Sequence, residues 1–461
     1  MNKPSLLPVL AALTLAACSF TPAYERPTAP VADTFANAAP ATGAGAAAAT
    51  AADIGWQTFF SDARLKRLIA IALEHNRDLR VAVLGIEQTR AQWQARGADL
   101  WPTVNAGLGG TRAPDPTGAL TTTLNAGLNV TAYEFDFFGR VRALNQAAQA
   151  QLLGSEEARN TVQISLIAAV ASTYLNLLAD DALLRLTQAT ITTREESLKL
   201  TQLKYDHETA SKLELVQAQS LLEGTRVTQA QLTRQRAQDE NALVLLLGQP
   251  LPADLPAGQG LLEQNLLPDL AAGIPSEVLT RRPDVRQTEH NLLAQHANIG
   301  AARAAFLPRI TLTASAGVVS NDLERLFTNG TFAWSLAPQL LLPIFDSGRN
   351  QANLASARIG RELALAQYEK AIQTAFREVS DALAARRTLI EQVRAQNAQL
   401  AAEQTRVQLT ELRFAQGAAN AFDRLDAQRS LFAAQQALVQ TQTQQLQNLV
   451  TLYKVLGGGW K

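Results

Sequence analysis

The sequence has little of what several protein classes require. It contains one cysteine, Cys18, in 461 residues, so a disulfide framework is excluded. Lys plus Arg equals Asp plus Glu at 41 each, which gives no electrostatic reason to expect a nucleic acid partner. The four histidines, His75, His207, His290 and His296, have no metal-ligand spacing and no nucleophile motif beside them. We therefore expect no catalytic residues, no metal site and no cofactor, and not an enzyme.

Aromatic residues are also scarce, at 6%, although hydrophobic residues make up 47% of the chain and are largely Ala and Leu. Ala and Leu are strong helix formers, so this composition favours long helices over an aromatic-rich enzyme core. Beyond the N-terminus, no run reaches the ~18 consecutive apolar residues that a membrane-spanning helix requires. If the mature chain crosses a membrane, we expect it to do so with strands.

The first residues have the pattern of a signal peptide, predicted to cover residues 1–17. Lys3 supplies a positive start, residues 6–15 are apolar, and Leu15-Ala16-Ala17-Cys18 resembles the lipobox of bacterial lipoproteins. That resemblance implies covalent lipid on Cys18, with acyl chains such as palmitate, and loss of the preceding residues. Ser19, where Asp would favour the inner membrane, favours the outer membrane. The alternative is an ordinary signal peptide followed by a free cysteine.

Two proline-free tracts, residues 139–247 and 348–456, are near copies of each other. An offset of 209 places Gly139-Arg140 on Gly348-Arg349, and it relates many later positions in the same way. Upstream, the likeness continues at an offset of 206. The second copy therefore has extra residues between its upstream part and its proline-free tract, and we expect them in an exposed loop between two strands. The chain is therefore an internal repeat.

Each tract has helical periodicity and a polar or small segment at its middle, near residues 205–212 and 414–421. We predict two coiled-coil hairpins with these segments as tips. Ser211 to Glu214 fits a capping box, and Asn420 to Asp423 its acidic variant, so a returning helix is expected to begin at each. The outgoing helix over residues 141–204 would be about 96 Å long at ~1.5 Å per residue. An isolated intracellular coiled coil would leave the signal segment and the strands unexplained.

Period-two alternation predicts a strand pair before each hairpin, at about residues 101–113 and 119–133, and again at about 308–318 and 331–343. The segments have the ~9 to 11 residues that a tilted transmembrane strand needs, with one apolar face and one polar face. A soluble antiparallel sheet alternates in the same way, so that alternative stays open. In lipid, four strands cannot close a barrel, so the membrane interpretation requires several copies. Three copies would supply about twelve strands.

Six short motifs are spread over nearly the whole mature chain. They are Thr21-Pro-Ala-Tyr-Glu-Arg-Pro27, Trp56-Gln-Thr-Phe59, Arg281-Arg-Pro-Asp-Val-Arg286, Ala301-Ala-Arg-Ala-Ala-Phe-Leu-Pro-Arg-Ile310, Pro343-Ile-Phe-Asp-Ser-Gly-Arg349 and Leu425-Asp-Ala-Gln-Arg-Ser-Leu431. Together, in this order, they resemble the outer-membrane factors of tripartite efflux systems, in the NodT-like lipoprotein branch related to TolC and OprM.

The resemblance implies a mainly α protein with a membrane β-barrel: a homotrimer whose 12-strand β-barrel continues into a 12-helix periplasmic α-barrel. Its expected partners are a periplasmic adaptor (membrane fusion protein), an inner-membrane pump of RND type, and outer-membrane lipid. The expected function is a passive exit duct with a gate at the periplasmic tip. Alternatives are the outer-membrane component of a type I-like secretion system, and a structural envelope lipoprotein without transport.

The predicted organisation combines the repeats with the belt that the family implies around the α-barrel. Its parts are a signal peptide (1–17), a lipid-anchored N-terminal segment (18–60), repeat 1 (61–249, hairpin 139–247), an equatorial linker (250–273), repeat 2 (274–456, hairpin 348–456) and a C-terminal tail (457–461).

The resemblance also assigns a periplasmic gate to Phe422, Asp426 and Arg429. Their spacing of four and three puts them on one face of the helix after the second tip. A threefold ring of Asp426 would bring like charges together, which Arg429 could screen or bridge between helices. Alternatively, both are surface charges near a helix start. The equivalent positions in the first copy are uncharged: Leu213, Gln217 and Ser220.

The hairpin tips are the expected adaptor contacts. The first tip has Glu208 where the second has Gly417, which leaves the turn geometry of the first tip open. The residues expected to contact the adaptor are Tyr205, Ser211, Phe414, Gly417 and Asn420.

Overall fold

The computed structural model describes residues 20–35, 53–264 and 276–460. The signal peptide, Cys18 and parts of the predicted N-terminal segment and equatorial linker lie outside these residues. The α-helices within them are α1 (Trp56–Phe59), α2 (Ala63–His75), α3 (Arg77–Ala98), α4 (Arg140–Asp206), α5 (Lys212–Leu247), α6 (Pro283–Ala304), α7 (Arg349–Ala415) and α8 (Ala421–Val455). The strands are β1 (Val104–Pro114), β2 (Leu120–Phe135), β3 (Arg309–Ser320) and β4 (Phe332–Leu341). Short 3-10 turns lie at Leu261–Glu263, Ser276–Arg281 and Leu323–Arg325.

The chain folds into two compact units. The first, here called the sheet unit, holds the strands; the second, the hairpin unit, holds both tips. In the described chain the sheet unit comprises residues 20–29, 84–157 and 286–371, and the hairpin unit comprises 30–35, 53–83, 158–264, 276–285 and 372–460. The expectation of a mostly helical protein with a small sheet is confirmed.

The two outgoing helices, α4 and α7, are 67 residues each and unbroken. Each follows a glycine with a left-handed backbone, Gly139 (φ 74°) and Gly348 (φ 83°). An aspartate then accepts hydrogen bonds from the first helical N–H groups: Asp136 from Val141 at 3.0 Å, and Asp346 from Asn350 at 2.9 Å. Such N-terminal acceptors satisfy amides that have no partner inside the helix. The duplicated sequence therefore starts both helices by the same device.

One stretch of α4 is long and apolar enough to cross a membrane by length and composition alone, and half of that window is buried. The expectation that no helix would qualify was therefore too strict, because it counted only consecutive apolar residues. A half-buried window of this kind is also what the core helix of a folded domain presents.

The four strands form one antiparallel meander in the order β1-β2-β3-β4, so β2 and β3 join the two repeats. The register aligns apolar side chains in rows across the sheet. One row is Ala106, Leu128, Ala316 and Trp334, and a second is Val104, Val130, Ala314 and Leu336. Because paired residues share a face, one face of the sheet is apolar.

The opposite face carries small and polar side chains, as in the row Asn105, Asn129, Ser315 and Ser335. At the centre of the sheet Gly127 pairs with Gly317, and a Cβ on either would collide with the backbone of the other strand. Glycine is required there because the two strands approach each other closely.

In the hairpin unit the described parts of the N-terminal segment and linker pack on the long helices. Phe59 stacks on Tyr453 with ring centroids 4.0 Å apart. The fully buried Asp62 caps α2 and accepts hydrogen bonds from Tyr174 Oη at 3.0 Å and Gln264 Nε2 at 2.7 Å. Burial is the largest single effect on the pKa of Asp62 and raises it, but the hydrogen bonds to the carboxylate together outweigh burial and hold the pKa below its ordinary value. A buried carboxylate thus ties three segments together.

In the sheet unit α4 packs against α6 through small residues, Ala147 and Ala150 against Ala294 and Ala297. Small side chains allow helices to approach closely. The N-terminal segment is held by a two-bond ion pair from Arg26 to Glu289, at 2.8 and 2.9 Å.

Candidate gate at the hairpin tips

The two tips close with the same backbone geometry although their sequences differ. Glu208 (φ 58°) and Gly417 (φ 73°) occupy equivalent positions, and both are left-handed. Glu208 N donates to Tyr205 O at 2.9 Å, as Gly417 N does to Phe414 O at 3.1 Å. The following amides bond one residue further back, at 2.8 Å in both tips. This pattern ends a helix in a left-handed cap. The first tip therefore has the same turn as the second, and the left-handed backbone of Glu208 costs roughly 1 kcal/mol in strain.

The first returning helix has the full capping box that the sequence predicts, and the second has the N-cap bond but not the reciprocal bond. Ser211 Oγ accepts from Glu214 N at 3.2 Å, and Glu214 Oε2 accepts from Ser211 N at 2.7 Å, which completes the capping box. Asn420 Oδ1 accepts from Asp423 N at 2.8 Å. Among the described residues, the Asp423 carboxylate accepts no reciprocal bond from Asn420 N, since its side chain is one methylene shorter than that of Glu214.

The tip aromatics lie against cations. Lys212 Nζ is 5.3 Å from the Tyr205 ring centroid. Phe414 has Lys204 Nζ at 4.9 Å and the Arg424 guanidinium at 4.5 Å. Such cation–π contacts hold both rings half-buried at the tips. All five residues expected to contact an adaptor therefore have local structural roles, and their contact with an adaptor stays a prediction.

The predicted gate residues Asp426 and Arg429 form an ion pair at 2.6 Å, one turn apart on α8. A third residue, Arg406 on α7, bonds to the other carboxylate oxygen of Asp426, also at 2.6 Å. Arg406 in turn lies 3.4 Å from Glu403. The sequence predicts Arg429 as the partner of Asp426. The structure adds a second partner, Arg406, which lies on the other helix of the same hairpin.

Hydrogen bonding from Arg406, helped by the charge of Arg429, holds the pKa of Asp426 below its ordinary value. The same bond raises the pKa of Arg406. Asp426 is therefore ionised at neutral pH. With Glu403 included, two acids face two bases, so the group has no formal net charge, and each exposed pair contributes little to stability.

The gate residues line one side of a groove of about 520 Å³ between α5 and α8. Phe422, Asp426 and Arg429 face Gln217 and Ser220, which are the equivalent positions of the first copy for Asp426 and Arg429. The fold therefore brings charged and uncharged copies of the same positions together. Leu213, equivalent to Phe422, is exposed and does not line the groove.

The groove also contains a cation that the sequence reasoning missed, Arg194 of α4, which is only 5% exposed. Nothing in its local sequence distinguishes it from the many exposed arginines of the hairpins. Elsewhere in the described chain, no three His, Cys, Asp or Glu side chains are grouped as a metal site requires.

A duplicated strand pair and hairpin, with an apolar sheet face and a charged groove at the tips, are the features expected of a channel-type membrane protein. The comparisons with known proteins agree. A profile of the outer membrane efflux protein family matches residues 68–249 and 274–458. The chain therefore belongs to the outer membrane efflux protein family.

Relatives match along almost the whole chain. The toluene efflux pump outer membrane protein TtgC of Pseudomonas putida is 45% identical over 100% of this chain and 96% of its own length. The outer membrane protein OprJ of Pseudomonas aeruginosa is 44% identical, covering 100% and 97%. The open-state structure of the MtrE outer membrane channel of Neisseria gonorrhoeae is 39% identical, with a TM-score of 0.88 over 96% of this chain and 99% of that one.

These matches identify an outer-membrane efflux channel protein with a TolC-like fold, which confirms the family and the function expected from the sequence. Members of this family are channels, so the chain is not an enzyme. Its location is the outer membrane.

Proposed function

We propose that the chain is the exit duct of a tripartite, RND-type efflux system and that it works as a homotrimer. The observation that carries the proposal is the apolar face of the sheet, on which Leu108 and Trp334 are 72% and 70% exposed in the single chain. An apolar face of this size needs lipid or protein against it. The polar opposite face suits a watery lumen.

The open edges of the sheet support the trimer. Within the described chain β1 and β4 each pair on one side only. Backbone groups at an open edge cannot be satisfied in lipid, so each edge needs a strand from another copy. Three copies of four strands give about twelve strands, an even number in the usual range for such barrels.

The proposed gate works by exchange of ionic partners. In the single chain, Asp426 is bound by Arg406 and Arg429 of its own hairpin. Arg429 remains 68% exposed and is available to a neighbouring copy. Opening and closing would then trade contacts within a hairpin for contacts between copies, at small cost in free energy because both are exposed ion pairs.

The tips would meet a periplasmic adaptor, which an inner-membrane pump loads. Gly417 supports this part of the proposal, because nothing lies within 4 Å of the position that a Cβ would occupy there, so a partner could approach the backbone. Covalent lipid on Cys18 would tether the N-terminus to the outer membrane. The name of TtgC assigns that relative to toluene efflux, and small organic molecules are accordingly the proposed cargo.

Cross-linking tests the assembly. In a chain with Cys18 replaced by Ala, cysteines at Leu108 in β1 and Leu336 in β4 lie on the same sheet face at opposite edges. Oxidation should yield covalent dimers and trimers. The control pair at Leu128 and Ala316, which are direct partners, should cross-link only within a chain. A monomeric product for the edge pair, together with a monomeric mass of the unaltered protein in detergent, would refute the proposed barrel.

Conductance in planar bilayers tests the gate. Asp426→Ala and Arg429→Ala should each raise the mean conductance, because each removes a charge that holds the tip. The matched control is Arg394→Ala, an exposed arginine of α7 that pairs with Glu391. Traces indistinguishable from the control would reduce Asp426 and Arg429 to surface charges.

A further inference from the structure

Arg194 is a buried cation that binds only neutral groups. Its Nη1 donates to the Leu221 carbonyl at 3.0 Å and to the hydroxyl of Thr225, and its guanidinium lies 5.2 Å from the Phe432 ring centroid. Its Nε, also buried, has no hydrogen-bond partner among the described residues. Burial lowers the pKa of Arg194 to about 10, so the side chain is still charged at neutral pH.

A charge in such a position is unusual, because buried charges are normally paired. The other buried arginine of the described chain, Arg282, follows that rule. It is 8% exposed and bonds to Asp284 at 2.7 Å and to Glu378 at 2.8 Å. No described carboxylate lies within 4.0 Å of Arg194. The counter-ion of Arg194 is therefore expected to come from outside the described residues.

The groove between α5 and α8 gives access to Arg194. At about 520 Å³ it has the size of a small-molecule site. Its wall combines the aromatic rings of Phe422 and Phe432 with the polar side chains of Gln217 and Thr228. The carboxylate on the rim, Asp426, already binds Arg406 and Arg429. The groove thus joins an unmatched positive charge to an aromatic surface.

We propose that this groove binds a small aromatic anion, with its carboxylate against Arg194 and its ring against Phe422 and Phe432. A small molecule fits better than an acidic side chain of another protein, because the helices of the chain itself cover all but a twentieth of Arg194. Charge-assisted hydrogen bonds to guanidinium are strong where water is excluded. The inference goes beyond the duct function, since passive conduction requires no bound ligand.

The test measures binding of 2-naphthoate to the full chain in lipid nanodiscs by calorimetry, with empty nanodiscs as the blank. One equivalent per chain should bind. The neutral analogue 2-naphthalenemethanol, and 2-naphthoate with Arg194→Met, should each bind roughly ten-fold more weakly, as expected for loss of a charge-assisted contact. The matched control is Arg185→Met, an exposed arginine on the same helix, which should bind like the unaltered chain.

Equal affinity for acid and alcohol, or affinity of Arg194→Met within two-fold of Arg185→Met, would overturn the proposal. If Arg194→Met does not fold, Phe422→Ala serves instead, because that side chain is exposed and its loss leaves the packing intact. Phe422→Ala should weaken 2-naphthoate binding several-fold, as removal of an aromatic contact does, and unchanged binding would refute the site. Conductance recorded in parallel separates this site from the duct: a chain that conducts but does not bind contradicts only the ligand site.

Discussion

The carboxyl groups of Asp180 in α4 and Asp239 in α5 interact inside the first hairpin. Asp180 is only 6% exposed, and its Oδ2 is buried without a hydrogen-bond partner among the described residues. Burial, then a proton shared with the Asp239 carboxyl and the charge of that group, raise the pKa of Asp180 to about 7. The neighbouring Asp181 adds to the effect, and Arg236, which is 2.7 Å from Asp181, opposes it. A hydrogen bond between two carboxyls requires a proton.

The sign of the pH dependence follows from the two states. An unfolded Asp with a pKa of 3.8 is ionised throughout pH 6 to 8, whereas the folded group at about 7 still takes up a proton. The folded state is therefore favoured below its pKa, and this stability is lost as the pH rises through about 7. For one such group the loss between pH 6 and pH 8 is ~1.4 kcal/mol.

Asp180→Asn removes this dependence, because the amide is neutral at every pH and can still donate to Asp239. The assay is amide hydrogen exchange in peptides that cover both positions, with variant and unaltered chain compared at each pH so that intrinsic exchange cancels. At each pH, the opening equilibrium constant of the unaltered chain is divided by that of the variant. This ratio should be roughly ten-fold larger at pH 8 than at pH 6.

The control is Glu223→Gln, which neutralises an exposed carboxylate of α5 that pairs with Arg226. It should leave the pH dependence of the hairpin unchanged. The assignment of the proton to this pair would be refuted if the ratio of the two opening equilibrium constants, for the unaltered chain and for Asp180→Asn, stayed constant from pH 6 to pH 8.

The tips and the N-terminus give three more tests. Glu208→Gly should raise, and Gly417→Ala should lower, the free energy of unfolding by roughly 1 kcal/mol, because both residues are left-handed; thermal unfolding shifts of the same sign for the two variants, or no shift for either, would contradict this. Ser211→Ala should cost ~1 kcal/mol through loss of its cap, and local hydrogen exchange at the start of α5 that does not change would rule that out. Mass spectrometry of the mature protein should find acylated Cys18 and no residues 1–17; an unmodified thiol would remove the anchor.

Much of the architecture could be predicted because it is periodic and duplicated. The hairpin tips follow from the two proline-free tracts, and Ser211 and Asn420 cap the returning helices as their sequences indicate. The strand order could not be predicted. Alternation marks which residues share a face, but the β2–β3 pairing that joins the repeats depends on long-range contacts between residues such as Leu128 and Ala316.

The candidate site was predictable only where its residues are close in sequence. Asp426 and Arg429 share a face because they are three residues apart on one helix. Arg406 lies on the other helix, but a signal for it exists: it is eleven residues before Gly417, and Asp426 is nine after it. In an antiparallel hairpin, residues about equally far from the tip face each other, and this rule would have found Arg406.

The first hairpin follows the same rule, since the ion pair of Asp181 and Arg236 lies 27 residues before and 28 after Glu208. The two copies thus share their turn and their helix register, and they differ in the charges placed on that frame. Near the tip, the second copy has an ion pair where the first has Gln217 and Ser220. An exchange of ionic partners at the gate can therefore be confined to one hairpin, because the other carries no charge at these positions to oppose or replace it.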